Sequence, residues 1–347
     1  MRPVTLKDVA LRAGVSPKTV SRVINGELHV RPEVRAAVQR IVDELDYRPN
    51  AFARSLSSSR SYLLGLFLDD PGSGYAADLQ LGALMRCRER SYHLVVEPLD
   101  ITAPNWAGQI IDSIRALRLD GAILTPPICD SEALLDLLDS EGLAYVRISP
   151  RGDATRSGLI EMDDRSAARE MTEHLIGLGH RHIGFIKGDP AHSVSLKRFE
   201  GFTDAMTAAG LTLRPGDVRE GDFSFRSGLR IGEEMLGGTA FPSAIFASND
   251  DMALGVLITA MRLGIGVPDR LSVAGFDDAP TSRAAWPQIT TIRQPKGEMA
   301  AGAVDILVDP SYRASPTSAH FRRLLDYELV DRLSTGPNTR DGSSQRS

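Results

Sequence analysis

The segment from Ser16 to Gly26 reads SPKTVSRVING. Val20, Val23 and Ile24 recur at helical spacing and form one apolar face. The other face presents Pro17, Lys18, Thr19, Ser21, Arg22 and Asn25. That is an array suited to a polyanion whose surface also carries base edges. The Arg22 guanidinium can fork onto the O6 and N7 acceptors of guanine. Lys18 can reach base acceptors or phosphate. Thr19, Ser21 and Asn25 suit phosphate and sugar oxygens, which set register without reading sequence.

A second set of reactive side chains lies far downstream, each at the end of an apolar run. The loops 69–75, 125–127, 149–152, 188–198, 222–225, 249–251 and 277–278 hold aromatic faces (Tyr75, Phe223, Phe225), a guanidinium (Arg198), amide and hydroxyl groups (Asn249, Thr125) and carboxylates (Asp69, Asp277). Planar bidentate groups pair with sugar hydroxyls, and an aromatic ring covers the apolar face of a pyranose. The mix suits a small polar ligand. Plainer roles also fit. Asn249 and Asp250 would cap a helix starting near Met252, Asp277 would serve a turn, and Tyr75 would pack a loop.

Local signals define the elements that hold the first set. Thr5 and Asp8 form a capping-box pattern ahead of Leu6, Val9 and Ala10. Gly14 stops that helix. Ser16 is an N-cap, and Pro17 stands at the first helical position, where its missing N–H costs nothing. Gly26 ends the second helix. A third, from about Pro32 to Leu45, carries Val34, Val38, Ile41, Val42 and Leu45 inward. Two short helices on a glycine turn make a helix-turn-helix, whose second helix enters the major groove. Arg31 is a poor cap for the third helix.

From Leu63 the pattern changes. Apolar runs of strand length (LLGLFL, HLVVEPL, GAILTP, AYVRIS) alternate with helical stretches over 77–90, 106–117 and 131–138. After a loop the rhythm resumes. Helices over 165–178, 196–209, 227–236 and 252–263 are interleaved with HIGFIKG, AIFAS and LSVAGF. This alternation predicts parallel βαβ units. The body is therefore expected to be two doubly wound α/β lobes, which bind ligands beyond the carboxyl ends of their strands.

Composition narrows the function classes. The chain has 347 residues and a net charge of −5. Of its 40 Lys and Arg and 45 Asp and Glu, 11 and 6 fall within residues 1–60. A head of +5 thus sits on a body of −10, as expected if the head meets a polyanion. No apolar run reaches 18 residues, and the start lacks the apolar core of a secretion signal, so a cytoplasmic protein is expected. Cys87 and Cys129 stand apart from any metal-ligand spacing and are expected to be buried and reduced. No G-x-S-x-G, Walker loop or H-E-x-x-H occurs, so neither an enzyme nor a cofactor or metal is expected. His180 and His182 flank Arg181 and suit a helix-end or surface role.

VTLKDVALRAGVSPKTVSRVING and LDYRPNAFARSL together resemble the DNA-binding headpiece of the lactose/purine repressor family of bacterial transcription factors. HLIGLGHRHIGFI, RFEGF, EGDFSFRSG, AIFASNDDMALG, LSVAGFDD and ITTIRQP resemble its effector core. The resemblance runs to about Leu333. It implies a helix-turn-helix headpiece (1–49), a hinge helix and linker (50–61), and a two-lobed periplasmic-binding-protein-like core. The first lobe would comprise 62–161 with 293–318, the second 162–292 with 319–335, followed by a disordered tail (336–347). It extends the DNA contacts from Ser16, Pro17, Lys18, Thr19, Ser21, Arg22 and Asn25 to Thr5, Leu6, His29, Tyr47, Asn50, Ala53 and Arg54. Leu56 becomes the residue that wedges into the minor groove. It assigns effector contact to Arg198, Asn249 and Asp277, ring stacking to Phe223, and further contacts to Asp69, Tyr75, Thr125 and Ser149. Ser149 stands where the family usually has Asp.

The implied function is ligand-controlled repression of carbohydrate-utilisation genes by a homodimer on a pseudo-palindromic double-stranded operator, with a sugar-like effector between the lobes. A corepressor-dependent repressor of a purine-like pathway is the alternative, and a solute-binding protein a more distant one. The tail, STGPNTRDGSSQRS, has no leucine heptad, so a dimer is expected rather than a tetramer.

Overall fold

A computed structural model describes residues 4–24, 30–47, 60–152, 155–238, 240–314 and 321–339. The chain divides into two compact units, Met1–Tyr62 and Leu63–Ser347. The first contains α1 (Leu6–Ala13), α2 (Pro17–Ile24) and α3 (Pro32–Glu44). Thr5 Oγ1 accepts from the Asp8 N–H, and Asp8 Oδ2 accepts from the Thr5 N–H at 2.8 Å, completing the capping box. Gly14 ends α1 at φ 65°. Ser16 Oγ accepts from the Thr19 N–H at 3.1 Å and starts α2. Arg31 gives α3 no side-chain cap. Val9, Ala10, Val20, Val23, Val38, Ile41 and Tyr47 close the core of this unit. The hinge-helix expectation, together with Asn25, His29, Asn50, Ala53, Arg54 and Leu56, lies outside the described residues.

The second unit opens with β1 (Leu63–Leu68), α4 (Gly74–Glu89), β2 (His93–Pro98), α5 (Trp106–Leu117), β3 (Gly121–Leu124), α6 (Glu132–Ser140), β4 (Tyr145–Ile148) and β5 (Gly158–Met162). Its six-stranded sheet runs β11-β5-β4-β3-β1-β2, where β11 is Arg322–Leu325, and every pairing is parallel. Strands buried on both faces read as continuous apolar runs. Leu64, Leu66, Phe67, Ile123 and Leu124 are accordingly inaccessible to solvent.

The second lobe follows with α7 (Asp164–Gly177), β6 (Ile183–Lys187), α8 (Ser193–Ala208), β7 (Val218–Glu220), α9 (Phe225–Leu236), β8 (Ala244–Ala247), α10 (Asp250–Arg262) and β9 (Ser272–Ala274). The parallel order is β7-β6-β8-β9. Phe185 stacks on Phe202 and meets Phe246 edge-on, at centroid distances of 4.7 and 5.2 Å. Burying each ring contributes about 2 kcal/mol. Helix α8 approaches α7 so closely that a Cβ on Gly201 would lie 2.0 Å from the Arg165 carbonyl oxygen. That approach sets the position of Arg198, one turn earlier.

The chain then passes through α11 (Pro280–Ala284), β10 (Thr291–Arg293), α12 (Lys296–Val308) and α13 (Pro310–Ala314) to β11 and β12 (Glu328–Val330). Helix α12 packs on first-lobe strands and on α4. Three expectations need correction. Residues 319–335 do not return as one piece to the second lobe: β11 extends the first-lobe sheet beside β5, and β12 pairs antiparallel with β10. Nor is the start of the 336–347 tail free. The Asn338 N–H donates to the Leu178 carbonyl at 2.8 Å, and Gly336 O lies 3.1 Å from His180 Nε2. His180 is no surface residue either; it is buried between the hydroxyls of Ser243 and Ser272, 2.9 Å from each.

Candidate functional site

In the first unit, Pro17, Lys18 and Arg22 stand exposed on α2, with Thr19 and Ser21 half-buried beside them. The opposite face of α2 carries Val20 and Val23 into the core. Ser16 joins the Thr19 hydroxyl at 2.9 Å, so both help hold the start of the helix. Thr5 is committed to its capping box and Leu6 is half-buried against the core. Tyr47 is packed into the core of this unit at 7 % exposure.

In the second unit a cavity of about 380 Å³ opens between the two lobes. Strand order explains its place. The first sheet reverses direction between β1 and β3, the second between β6 and β8, and ligands bind beyond strand ends at such switch points. Of the expected effector residues, Asp69, Tyr75, Thr125, Arg198, Phe223, Asn249 and Asp277 all line it. Ser149 and Phe225 do not. Ser149 is buried at φ 47° with its carbonyl accepting from Ser193 Oγ at 2.9 Å, so it ties the lobes together through its backbone. Phe225 begins α9 and is exposed.

Arg198 is the electrostatic centre. Its Nε donates to Asp164 Oδ1 at 2.8 Å and its Nη1 to the Ser248 carbonyl at 2.6 Å. Asp277 Oδ1 lies 3.8 Å away, and the Phe276 ring lies 3.7 Å beneath the guanidinium. Burial pushes the Asp164 and Asp277 carboxyls above their usual range, against the pull of Arg198. A charge held this deep is stable only when paired and hydrogen-bonded.

The neighbouring groups are held as firmly. Asn249 Oδ1 caps α10 through the Met252 N–H at 2.9 Å, and its Nδ2 donates to the Phe223 carbonyl at 2.8 Å. The capping and cavity-lining roles therefore coincide in one residue. Phe223 is at φ 66°, and its ring lies edge-on to His192 at 5.1 Å. Thr125 Oγ1 donates to the Phe67 carbonyl at 3.1 Å. Asp277 and Asp278 follow one another at φ 116° and 50°. Asp277 accepts from Gln294 inside the cavity, while Asp278 accepts from Arg293 and Arg332 behind it. Consecutive non-glycine residues in this region are strained and persist only where the surroundings hold them.

Several working residues carried no distinguishing signal in the sequence. Asp164 stands just ahead of the helix expected over 165–178, Phe276 ends the apolar run LSVAGF, and Gln294 lies in ITTIRQP. His192, Asp189 and Asp222 fall within the nominated loops, and the structure adds them to the wall. Burial lowers the affinity of His192 for a proton, against the attraction of Asp189 and Asp69.

Residues 5–50 match the model of bacterial regulatory proteins of the lacI family, and residues 172–335 match the periplasmic binding protein-like domain. Catabolite control protein A of Priestia megaterium is 30% identical over 92% of this chain and 98% of its own length. The chain belongs to the lacI family of bacterial regulatory proteins. This lacI-family regulator is likewise 32% identical to the HTH-type transcriptional repressor PurR of Haemophilus influenzae, over 88% of this chain and 90% of that one. Its structure resembles the lac repressor dimer bound to operator and the anti-inducer ONPF, with TM-score 0.75, 28% identity and coverage of 96% and 100%. It also resembles the transcriptional regulator CelR–cellobiose complex, with TM-score 0.72, 29% identity and coverage of 95% and 99%. This lacI-family chain is a DNA-binding transcriptional regulator. Among its described residues no helix is long and apolar enough to cross a membrane.

Proposed function

We propose that this regulator is a cytoplasmic repressor of carbohydrate-utilisation genes. It binds a pseudo-palindromic operator as a homodimer and responds to a small sugar-like effector between the core lobes. The observation that carries the reading is the convergence of Arg198, from helix α8, with Phe223, Asn249 and Asp277, from the ends of three separate strands, on one cavity. A guanidinium, an amide and a carboxylate supply fixed polar partners for hydroxyls, and the ring supplies an apolar wall. The cellobiose bound to one structural relative supports a sugar. An effector that prefers one lobe arrangement shifts the population toward it, and operator affinity follows.

The test is operator release, followed by fluorescence anisotropy on a labelled operator against a panel of sugars. Release by at least one sugar is the expected result. Binding of a purine that tightens operator binding, with no response to any sugar, would overturn it. That second reading is favoured by the similarity to the PurR repressor.

A further inference from the structure

The cavity wall carries far more negative than positive charge. Asp69, Asp70, Asp189, Asp222, Asp251 and Asp277 all line it, and among the described residues Arg198 is the only guanidinium that does. Arg198 is itself neutralised by Asp164 at 2.8 Å and by Asp277 at 3.8 Å. Among the described residues, none of the other five carboxylates has a cationic nitrogen within 4.0 Å.

Four of those five accept hydrogen bonds from neighbouring protein groups. Asp70 accepts from the Gly72 N–H at 2.9 Å, Asp189 from the Ala191 N–H at 2.7 Å, Asp222 from the Ser224 N–H at 2.8 Å, and Asp251 from the Thr281 hydroxyl at 3.1 Å. Asp69 accepts no hydrogen bond among the described residues. Asp69 follows β1 in the first lobe and Asp189 follows β6 in the second. Burial and the repulsion of Asp100, Asp70 and Asp189 raise the Asp69 carboxyl, with His192 alone opposing them. Burial also holds the His192 imidazole below its ordinary range, against the pull of Asp189 and Asp69. Two further cations lie nearby without lining the cavity: Arg151 donates to the carbonyls of Pro190 and Ala191 at 3.0 and 3.2 Å, and Lys296, paired with Asp78 at 2.8 Å, lies 6.0 Å from the Tyr75 ring and pulls on Asp277. Behind Arg198, Asp164 Oδ2 is buried with no hydrogen-bond partner among the described residues.

A cleft lined by one sign of charge concentrates ligands of the other sign and repels those of its own. A phosphate or carboxylate entering here meets uncompensated carboxylates. An ammonium brings three donors to these carboxylates, of which Asp69, Asp70 and Asp222 are exposed to solvent, and such charge-assisted bonds are about twice as strong as neutral ones.

We propose that the effector is an amino-substituted sugar whose ammonium group sits between Asp69 and Asp189, and that phosphorylated or carboxylated sugars are excluded. The inference rests on the reading of this cavity as a carbohydrate effector site. It also supplies a means of closure. With no cation present, Asp69 and Asp189 repel one another from opposite lobes. An ammonium between them replaces that repulsion with two attractions and favours the closed cleft.

Isothermal titration calorimetry of the full chain tests this with glucose, galactose and mannose, each as the neutral sugar, the 2-amino sugar and the 6-phosphate. In at least one series the amino sugar should bind about tenfold or more tighter than its neutral partner, and the 6-phosphate should give no heat of binding. Raising salt from about 50 to about 500 mM should weaken only the amino sugar. In Asp69→Asn the preference for the amine should fall to within about threefold. A neutral sugar that binds as tightly as its amine, a 6-phosphate that binds, or a preference unchanged in Asp69→Asn overturns the inference and leaves the carbohydrate reading standing. If no member of the panel binds, the carbohydrate reading itself fails and the inference falls with it.

Discussion

The ring of Phe223 fills the space that a side chain on residue 188 would need. A Cβ on Gly188 would lie 1.9 Å from Phe223 Cζ. Glycine is required there to admit the ring to the cavity wall. Gly188→Ala should therefore displace the ring and its edge-on contact with His192. An aromatic contact of this kind is worth about 1 kcal/mol, so half-maximal operator release should need roughly five- to tenfold more effector. Anisotropy titrations of wild type and variant on one operator check this. An unshifted midpoint would show that the ring does not touch the effector.

Arg198 is expected to carry two burdens. From its sequence position alone, Arg198→Ala is expected to leave DNA binding intact and abolish the effector response. The buried pair with Asp164 alters that expectation. Removing the guanidinium strands Asp164, Asp277 and the Ser248 carbonyl, and breaking such a buried pair costs about 3–5 kcal/mol. Thermal unfolding should show a marked drop in Tm together with loss of the effector response. Arg198→Ala combined with Asp164→Asn should recover part of the Tm without recovering the response.

On the head, Arg22→Ala should cost about 1–3 kcal/mol of specific operator affinity and relax specificity at one base pair. Lys18→Ala, if the lysine meets phosphate, should weaken all sequences alike and reduce the salt slope by about one. Competition binding against operators with single base-pair changes separates the two. An Arg22→Ala variant that keeps full discrimination at every position would remove Arg22 from the base-reading set.

Asp278 provides a pH signature. Burial alone would raise its carboxyl, but hydrogen bonds from Arg332 and Arg293 outweigh burial and hold it below the usual carboxylate range. A carboxyl depressed in the folded state adds stability that is fully present above the unfolded value, near 4. That stability is lost as pH falls through the folded value. Asp278→Asn should lower stability by roughly 3 kcal/mol at pH 7. The gap between variant and wild type should narrow only as pH drops below about 4. Paired Tm measurements across pH 3–8 would show this; a gap that narrows near pH 6 would point to a histidine instead.

Much of the scaffold was legible because it is written in local chemistry. Helix α5 occupies 106–117 and β1 occupies 63–68, the spans that spacing and apolar runs predict. The Thr5–Asp8 box, the Gly14 stop and the missing cap at Arg31 all act within four residues of themselves. Short segments were less readable. Strand β5, GLIEM, follows a loop with no helical rhythm to frame it, and β11, RRLL, is largely exposed on the edge of its sheet. Nothing in four or five residues says which sheet will accept them, because parallel pairing joins residues distant in sequence.

The sequence by itself determined the helix-turn-helix of the head, the alternation of strand and helix, and the strand-end loops from which a ligand site must be drawn. These follow from periodicity, capping and turn chemistry, which act over a few residues. Only the tertiary structure decided how those loops meet. Arg198 finds Asp164 and Ser248 across 34 and 50 positions of chain, and Asp278 finds Arg332 across 54. Asp69 and Asp189 come to opposite walls of one cavity because the order of strands in two sheets brings their switch points face to face. Such contacts are fixed by close packing of whole elements, and no window of sequence contains them.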